Sequence, residues 1–197
     1  MSLFVWRSHV APGHCTLQSG RFSDTARTRA GEPLAADFSA EHVFSMSKMF
    51  PDDIVLSDNF VVAAQVIVSE ALKTRLQTLL ADHAIEYLPV AIRNHKGRVV
   101  PERYFIVHPL GLVDCIDLAR SKVKWHQLIE SNIISCDGLV FKPEAVAPSV
   151  KLFRPQHWGQ HLLVSAGLAE ELMSSGLTGL QFMPATGFNG ISSPLPP

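Results

Sequence analysis

The sequence predicts an α+β protein: a mixed, largely antiparallel sheet with a few short helices and two similar strand–helix–strand units. Three observations predict it. First, a pattern recurs, as VIVSEALKTRLQTLLADHAIEYLPV from Val66 and as LLVSAGLAEELMSSGLTGLQFMPA from Leu162. Val68-Ser69 falls on Val164-Ser165, Leu72 on Leu168 and Leu76 on Leu172; after a one-residue gap, Ile85, Tyr87 and Pro89 fall on Leu180, Phe182 and Pro184. Second, Asn94-His95-Lys96-Gly97 separates two apolar-rich runs, as a hairpin requires. Third, the remaining apolar runs are short and bounded by turn residues, which favours strands over long helices.

Leu3 to Arg7 reads as a first strand. Ser8 to about Asp58 is irregular, rich in small and polar residues, and is expected to wrap the core. Within it, Ser39 to Phe50 predicts a short helix ended by Pro51, and Asp52 to Ser57 a brief strand. Val66 to Val68 is a strand. Ser69 follows as an N-cap, because its side-chain oxygen can accept from the first free helical N–H groups, and Glu70 suits the positive helix end. Leu72, Leu76, Leu79 and Leu80 form one buried stripe. Ile85 to Arg93 is apolar on both faces, hence central. Gly97 is free to take positive φ, and Val99 to Val107 returns as the hairpin partner, with Pro101 marking an edge or a bulge. Leu112 to Leu118 is another strand, and Ile129 to Phe141 adds one or two around the Asp137-Gly138 turn. In the second copy Leu162 to Val164 is the strand, Ser165 the N-cap, and Leu168, Ala169, Leu172 and Met173 the buried stripe. Gly176 is placed for a left-handed C-cap, and Gly179 to Met183 exits as a strand. The tail GFNGISSPLPP reads as frayed or extended. The organisation expected is a loop-rich region over 1–60, an α+β domain over 61–186 and a flexible tail over 187–197.

Composition bounds the function. At 47% hydrophobic residues, with a mean hydropathy of +0.16, the chain can build a real core. A net charge of −1 without a basic stripe argues against nucleic-acid binding. No apolar run approaches the roughly 18 residues of a membrane helix, and the N-terminus lacks the basic leader and apolar stretch of a signal peptide. Cys15, Cys115 and Cys136 are an odd set without CxxC spacing. That pattern fits small buried hydrophobes in a reducing compartment.

Candidate chemistry is thin. His157 and His161 lie four apart, but Gly159 and Pro155 disfavour the helix that a zinc site would need, and no HExxH pattern follows. Trp158 reads as a packing anchor. His14 and Cys15 are adjacent, so on an extended chain they point opposite ways; with His9 they read as chance loop residues. Asp114 and Asp117, flanking Cys115, fall on opposite faces of a strand; Asp117 suits a tether toward Ser121. Gly176 and Gly179 follow a helix and lack the Lys-Ser/Thr of a phosphate loop. No cofactor, metal or catalytic residue is assigned.

The second copy resembles a bacterial family first catalogued as a domain of unknown function and later placed among immunity proteins of polymorphic toxin systems. The resemblance rests on Val164-Ser165, Leu168, Leu172, Thr178-Gly179, Phe182 and Pro184. VDCIDLARSK, with Asp117 and Ser121, and the first copy around Val68-Ser69 add to it, so that it spans about Val61 to Pro184. It implies a cytoplasmic, non-enzymatic protein that binds a cognate toxin domain and blocks it. Such a protein needs a scaffold and one complementary surface, with affinity concentrated in a few anchors. The basic turn RNHKGRVVPER, carrying Arg93, Lys96, Arg98 and Arg103, is the candidate partner-binding surface; its ordinary reading is a solvated hairpin tip. Two alternatives stand beside this one. One is a small cytoplasmic enzyme with a cleft formed from His108, Asp114 and the N-terminal loops. The other is an accessory module that forms a homodimer through an exposed sheet edge or apolar face.

Overall fold

The computed structural model describes residues 2–18, 24–39, 42–129 and 131–190. In chain order its elements are β1 (Leu3–Ser8), β2 (Leu17–Gln18), α1 (Thr25–Arg29), β3 (Val43–Met46), β4 (Asn59–Val62), β5 (Gln65–Ser69), α2 (Glu70–Leu79), β6 (Ile85–Arg93), β7 (Tyr104–Pro109), β8 (Val123–Trp125), β9 (Ile133–Cys136), β10 (Leu152–Phe153), β11 (Leu163–Ser165), α3 (Ala166–Met173) and β12 (Leu180–Pro184). A six-stranded sheet runs β2-β3-β6-β7-β5-β4 and a four-stranded sheet β10-β11-β1-β12; β8 and β9 form a separate ribbon. The pairing of β3 with β6 is parallel, and the others are antiparallel. The fold is α+β with mixed, mostly antiparallel sheets.

The two copies fold alike. In the first, β5 and β6 flank β7; in the second, β11 and β12 flank β1. The registers match residue for residue. Phe105 lies between Val68 and Pro89, as Phe4 lies between Val164 and Pro184. Val107 opposes Tyr87, as Trp6 opposes Phe182. The outer strands correspond too: Asn59 opposes Val68 and Leu152 opposes Val164. The central strand of the second unit is therefore the start of the chain. The polypeptide leaves that unit after β1, builds the first unit and returns.

The helices of the two units, α2 and α3, start where their Ser residues predict. Ser69 Oγ accepts from Leu72 N–H at 3.2 Å and Ser165 Oγ from Leu168 N–H at 3.4 Å. One apolar cluster serves both units, joining Leu72 and Leu76 of α2, Leu168 and Leu172 of α3, and Trp6, Val68, Phe105 and Val164 of the sheets. The opposite faces close separate clusters, one around Ile67, Leu88 and Ile106, the other around Val5, Trp158 and Phe188.

Several local expectations are corrected. Val43–Met46 is a strand within the expected helix at 39–50; residues 40–41 lie outside the described set. Phe44 and Met46 are buried with the half-buried Ser45 between them, a period of two that outweighs the helical reading. Asp52 to Ser57 makes only an isolated bridge, Val55 with His14, because Ile54 and Val55 are 66% and 47% exposed. Leu112 to Leu118 likewise makes only bridges, at Val113 and Ile116. The return strand is interior to its sheet, and Pro101 falls in the gap between the Arg93–Val99 bridge and Tyr104. β9 ends before Asp137 and takes its partner from Val123–Trp125 instead of from across that turn. α3 ends with its C-cap at Ser174; Gly176 is left-handed (φ 75°) in the turn beyond. Met173 is 57% exposed, outside the buried stripe. Phe188 is fully buried, so packing continues past Gly187; residues 191–197 lie outside the described set.

Candidate functional site

The densest polar arrangement lies where the units meet, around Asp58. Its carboxylate accepts from Ser69 Oγ at 2.7 Å, and from Thr178 N–H and Thr178 Oγ1, each at 2.8 Å. Its own N–H donates to Thr178 Oγ1 at 3.0 Å and its carbonyl accepts from Ser69 N–H at 2.8 Å. Burial alone would raise the carboxyl's pKa, but these donors outweigh it and hold it below the usual carboxylate range. Beside it, buried Asn59 accepts from Trp6 Nε1 at 3.0 Å and donates to the Arg7 and Gly179 carbonyls at 2.9 and 2.8 Å. Gly179 has φ of 76°, and a Cβ there would stand 2.6 Å from the Asn59 carbonyl oxygen. Thr178 and Gly179 thus hold the second unit against the first, and Ser69 both caps α2 and ties it to the same point. Sequence reasoning missed Asp58, Asn59 and Trp6. One signal was available for Asn59, a polar residue opening the apolar run NFVV.

Asp117 and Ser121 have the same structural character. The Asp117 carbonyl accepts from Ser121 N–H at 2.9 Å, its carboxylate accepts from Arg120 N–H, and Ser121 Oγ accepts from Val140 N–H at 2.9 Å. The tether expected for Asp117 is present.

The basic turn is a surface feature. Asn94 Oδ1 accepts from Lys96 N–H and Arg98 N–H, and Gly97 is left-handed at φ 76°, as predicted. Arg93, Lys96 and Arg98 are exposed and make no ion pair among the described residues. Arg103 stands apart from them. It pairs with Glu70 at the start of α2, and its guanidinium carbon lies 6.0 Å from the centre of the Phe105 ring.

The remaining candidates separate. His157 Nδ1 lies 2.8 Å from the Ser131 carbonyl oxygen, which can only accept, while the His161 ring packs tilted against Trp158 with centroids 4.0 Å apart. Trp158 is 1% exposed, the anchor expected. His14 contacts Ser57 Oγ, away from the buried Cys15. All three cysteines are buried and free, and burial pushes the Cys15 and Cys115 thiols up to about 11 and about 12, where they are poor nucleophiles. His108 is fully buried with Nε2 on the Glu32 carbonyl, whereas the Asp114 side chain is 58% exposed and pairs with Lys142. These two do not share a cleft. Among the described residues no group of His, Cys, Asp and Glu could hold a metal ion, and no helix is long and apolar enough to cross a membrane.

A cavity of about 530 Å³ is lined by Arg29, Asn132, Gln156, His157 and Gly159. Behind Gly159, fully buried Arg154 donates to its carbonyl at 2.7 Å, while Arg154 Nε and Nη2 and Arg29 Nε are left without hydrogen-bond partners. Burial and nearby Arg29 push the Arg154 pKa down to about 10. The lining offers guanidinium, amide, hydroxyl and imidazole groups, and no carboxylate among the described residues.

No curated protein matches the chain. One family model does, over residues 43–187, from β3 through β12 and the turn after it. That span contains the Asp58–Ser69–Thr178 junction and both strand–helix–strand units, and on it the chain belongs to the Immunity protein family (Imm11).

Proposed function

We propose that this protein neutralises a cognate bacterial toxin domain by binding it in the cytoplasm, without chemistry of its own. The observation that carries the reading is membership of an immunity protein family across both structural units. The disposition of side chains supports it. Residues on which the resemblance rests, Ser69, Ser165, Thr178 and Gly179, are spent on caps and on the junction. They make a scaffold and leave the surface to choose the partner. Arg93, Lys96 and Arg98, exposed at the tip of the β6–β7 hairpin, are the proposed electrostatic contribution, acting on encounter rate and partner choice. Arg103 adds to the same hairpin, although its charge is offset by Glu70.

The test is affinity capture of the tagged full chain from lysate of its native host, read by mass spectrometry, followed by co-expression with the recovered toxin domain. Stoichiometric recovery of one larger protein through its C-terminal domain, with rescue of growth, is the expected result. Recovery of the chain alone from cells that express its genomic neighbours would overturn the reading. Reversing the hairpin charges, as Lys96→Glu with Arg98→Glu, is expected to slow association about tenfold or more at low salt and much less at high salt.

A further inference from the structure

The register match between the units allows their surfaces to be compared position by position, and one position set differs in kind. Glu70, Lys73 and Gln77 of α2 hold the positions that Ala166, Ala169 and Met173 hold in α3. In the first unit Lys73 Nζ lies 4.1 Å from the centre of the Phe105 ring and Glu70 pairs with Arg103, so polar side chains cover the ring. In the second unit the cover is gone. A groove of about 460 Å³ opens over Phe4, floored by Ala166 and Ala169 and walled by Met173, Leu180 and Phe182.

The groove runs beside a sheet edge that no strand among the described residues pairs. β12 is the last strand of its sheet. Gly179 carbonyl bonds His9 N–H and Ala185 N–H bonds the Leu3 carbonyl, so the odd-numbered residues of β12 face β1. The N–H and C=O groups of Leu180 and Phe182 therefore point outward, and neither residue has a partner for them among the described residues. Free edge groups beside a hydrophobic groove select an extended segment, which satisfies the backbone at the edge and places alternate side chains in the groove. A helix would fill the groove and leave the edge unbonded. The rim adds a sign. Glu170 lines the groove with no ion pair among the described residues, whereas Glu171, the other acid of α3, lies outside the groove and pairs with Arg75 at 3.8 Å. Two copies meeting edge to edge would bring a Glu170 carboxylate from each and no Lys or Arg to pair it from this lining. A partner with Lys or Arg beside its apolar side chain would pair with it.

We infer that β12 and α3 form a strand-addition site for an extended segment of the partner protein, bearing a bulky apolar residue flanked by Lys or Arg. This rests on the reading of the chain as a partner-binding protein, and locates a second contact on it, distinct from the basic hairpin. Two arms test it. In the first, a random peptide library displayed on phage is panned on the immobilised full chain, and selected peptides are assayed on wild type, on Met173→Gln, and on Ala169→Lys with Met173→Gln, which places there two of the three residues of the first unit. Met173 is largely exposed, so its change alone leaves the fold intact. Expected are peptides of apolar residues interleaved with Lys or Arg, bound at least about tenfold more weakly by the double variant, with the Leu180 and Phe182 amides protected from hydrogen exchange in the complex. Peptides that bind all three proteins equally, peptides that leave those amides exchanging, or no selected peptide at all would overturn the site. So would a wild-type dimer that the double variant dissolves, which would give the groove to a second copy. In the second arm the captured toxin domain replaces the peptides. A toxin bound equally well by the double variant overturns the site and leaves the neutralising function standing. Peptides that behave as expected beside a chain that captures no toxin overturn that function and leave the site standing.

Discussion

Asp58 is the residue on which separate pieces of chain converge, and its charge is what they share. Replacing it by Asn keeps the shape but removes the charge-assisted bonds from Ser69 and Thr178, each of which was donated to a carboxylate. D58N is expected to cost about 1.5–3 kcal/mol, the range for hydrogen bonds to a charged group, read by urea denaturation at pH 7. Because the folded carboxyl titrates below the unfolded one, the unfolded chain takes up the proton first. The stability it contributes is fully present above the ordinary value of about 3.9 and is lost as pH falls through the lower folded value. The gap between wild type and D58N should narrow in that acid window. His161 works in the same direction by a different route. Burial, with Arg7, Arg154 and Arg29 adding to it, pushes its pKa down to about 3. The unfolded histidine protonates near 6.5, so wild type loses stability as pH drops from there toward the folded value. His161→Gln should flatten the stability profile between about pH 6.5 and 4, measured by thermal melts across pH. Parallel wild-type and variant profiles would count against a neutral, buried imidazole.

At the scale of elements, the two Ser-capped helices form an internal control. Ser165 only caps α3, whereas Ser69 caps α2 and also donates to Asp58. Ser165→Ala should therefore cost about 1 kcal/mol, an ordinary cap, and Ser69→Ala about twice that, the excess vanishing when D58N is already present. A double-mutant cycle of Ser69→Ala with D58N measures it. These caps were legible in the sequence, as were α2 and β6, because each is a local signal: a Ser before a leucine stripe, a continuous apolar run. Pro89 and Pro184 were legible as counterparts, and their equal register against Phe105 and Phe4 bears this out. The strand at Val43–Met46 was misread because an alternation of Phe44, Ser45 and Met46 is short enough to pass for part of a helix. Met173 was misread because periodicity alone places it on the buried stripe; its counterpart in α2, Gln77, is exposed as well, so this position faces solvent in both units. The junction was the least legible part. Thr178 and Gly179 stood out as a motif, but Asp58, lying 120 positions before Thr178, carries no local pattern that marks it.

At the scale of the whole molecule, the decisive feature is that the second unit takes its central strand from the chain's beginning. β11 and β12 have no contact with each other in the sheet except through β1. Trp6 brings to that strand a side chain 1% exposed in the core common to both units, and an indole N–H that bonds Asn59 across the junction. The family match begins at residue 43, so a chain started there would hold every matched residue and still lack this strand. Such a chain, 43–197, keeps the register of the first unit, since β5, β6 and β7 all lie within it. It loses the bonds on the inner edges of both β11 and β12 and leaves apolar surface of α3 uncovered. The expected outcome is a first unit that still melts cooperatively at lowered temperature, a second unit without fixed tertiary signals, and binding of a hydrophobic dye that the full chain does not show. A synthetic peptide of residues 2–9 added in trans should restore the near-ultraviolet signature and suppress the dye signal, because it supplies the missing strand with both edges ready to pair. A truncated chain that melts as the full chain does, or a peptide without effect on it, would mean that β1 is an accessory to the second unit and not its centre.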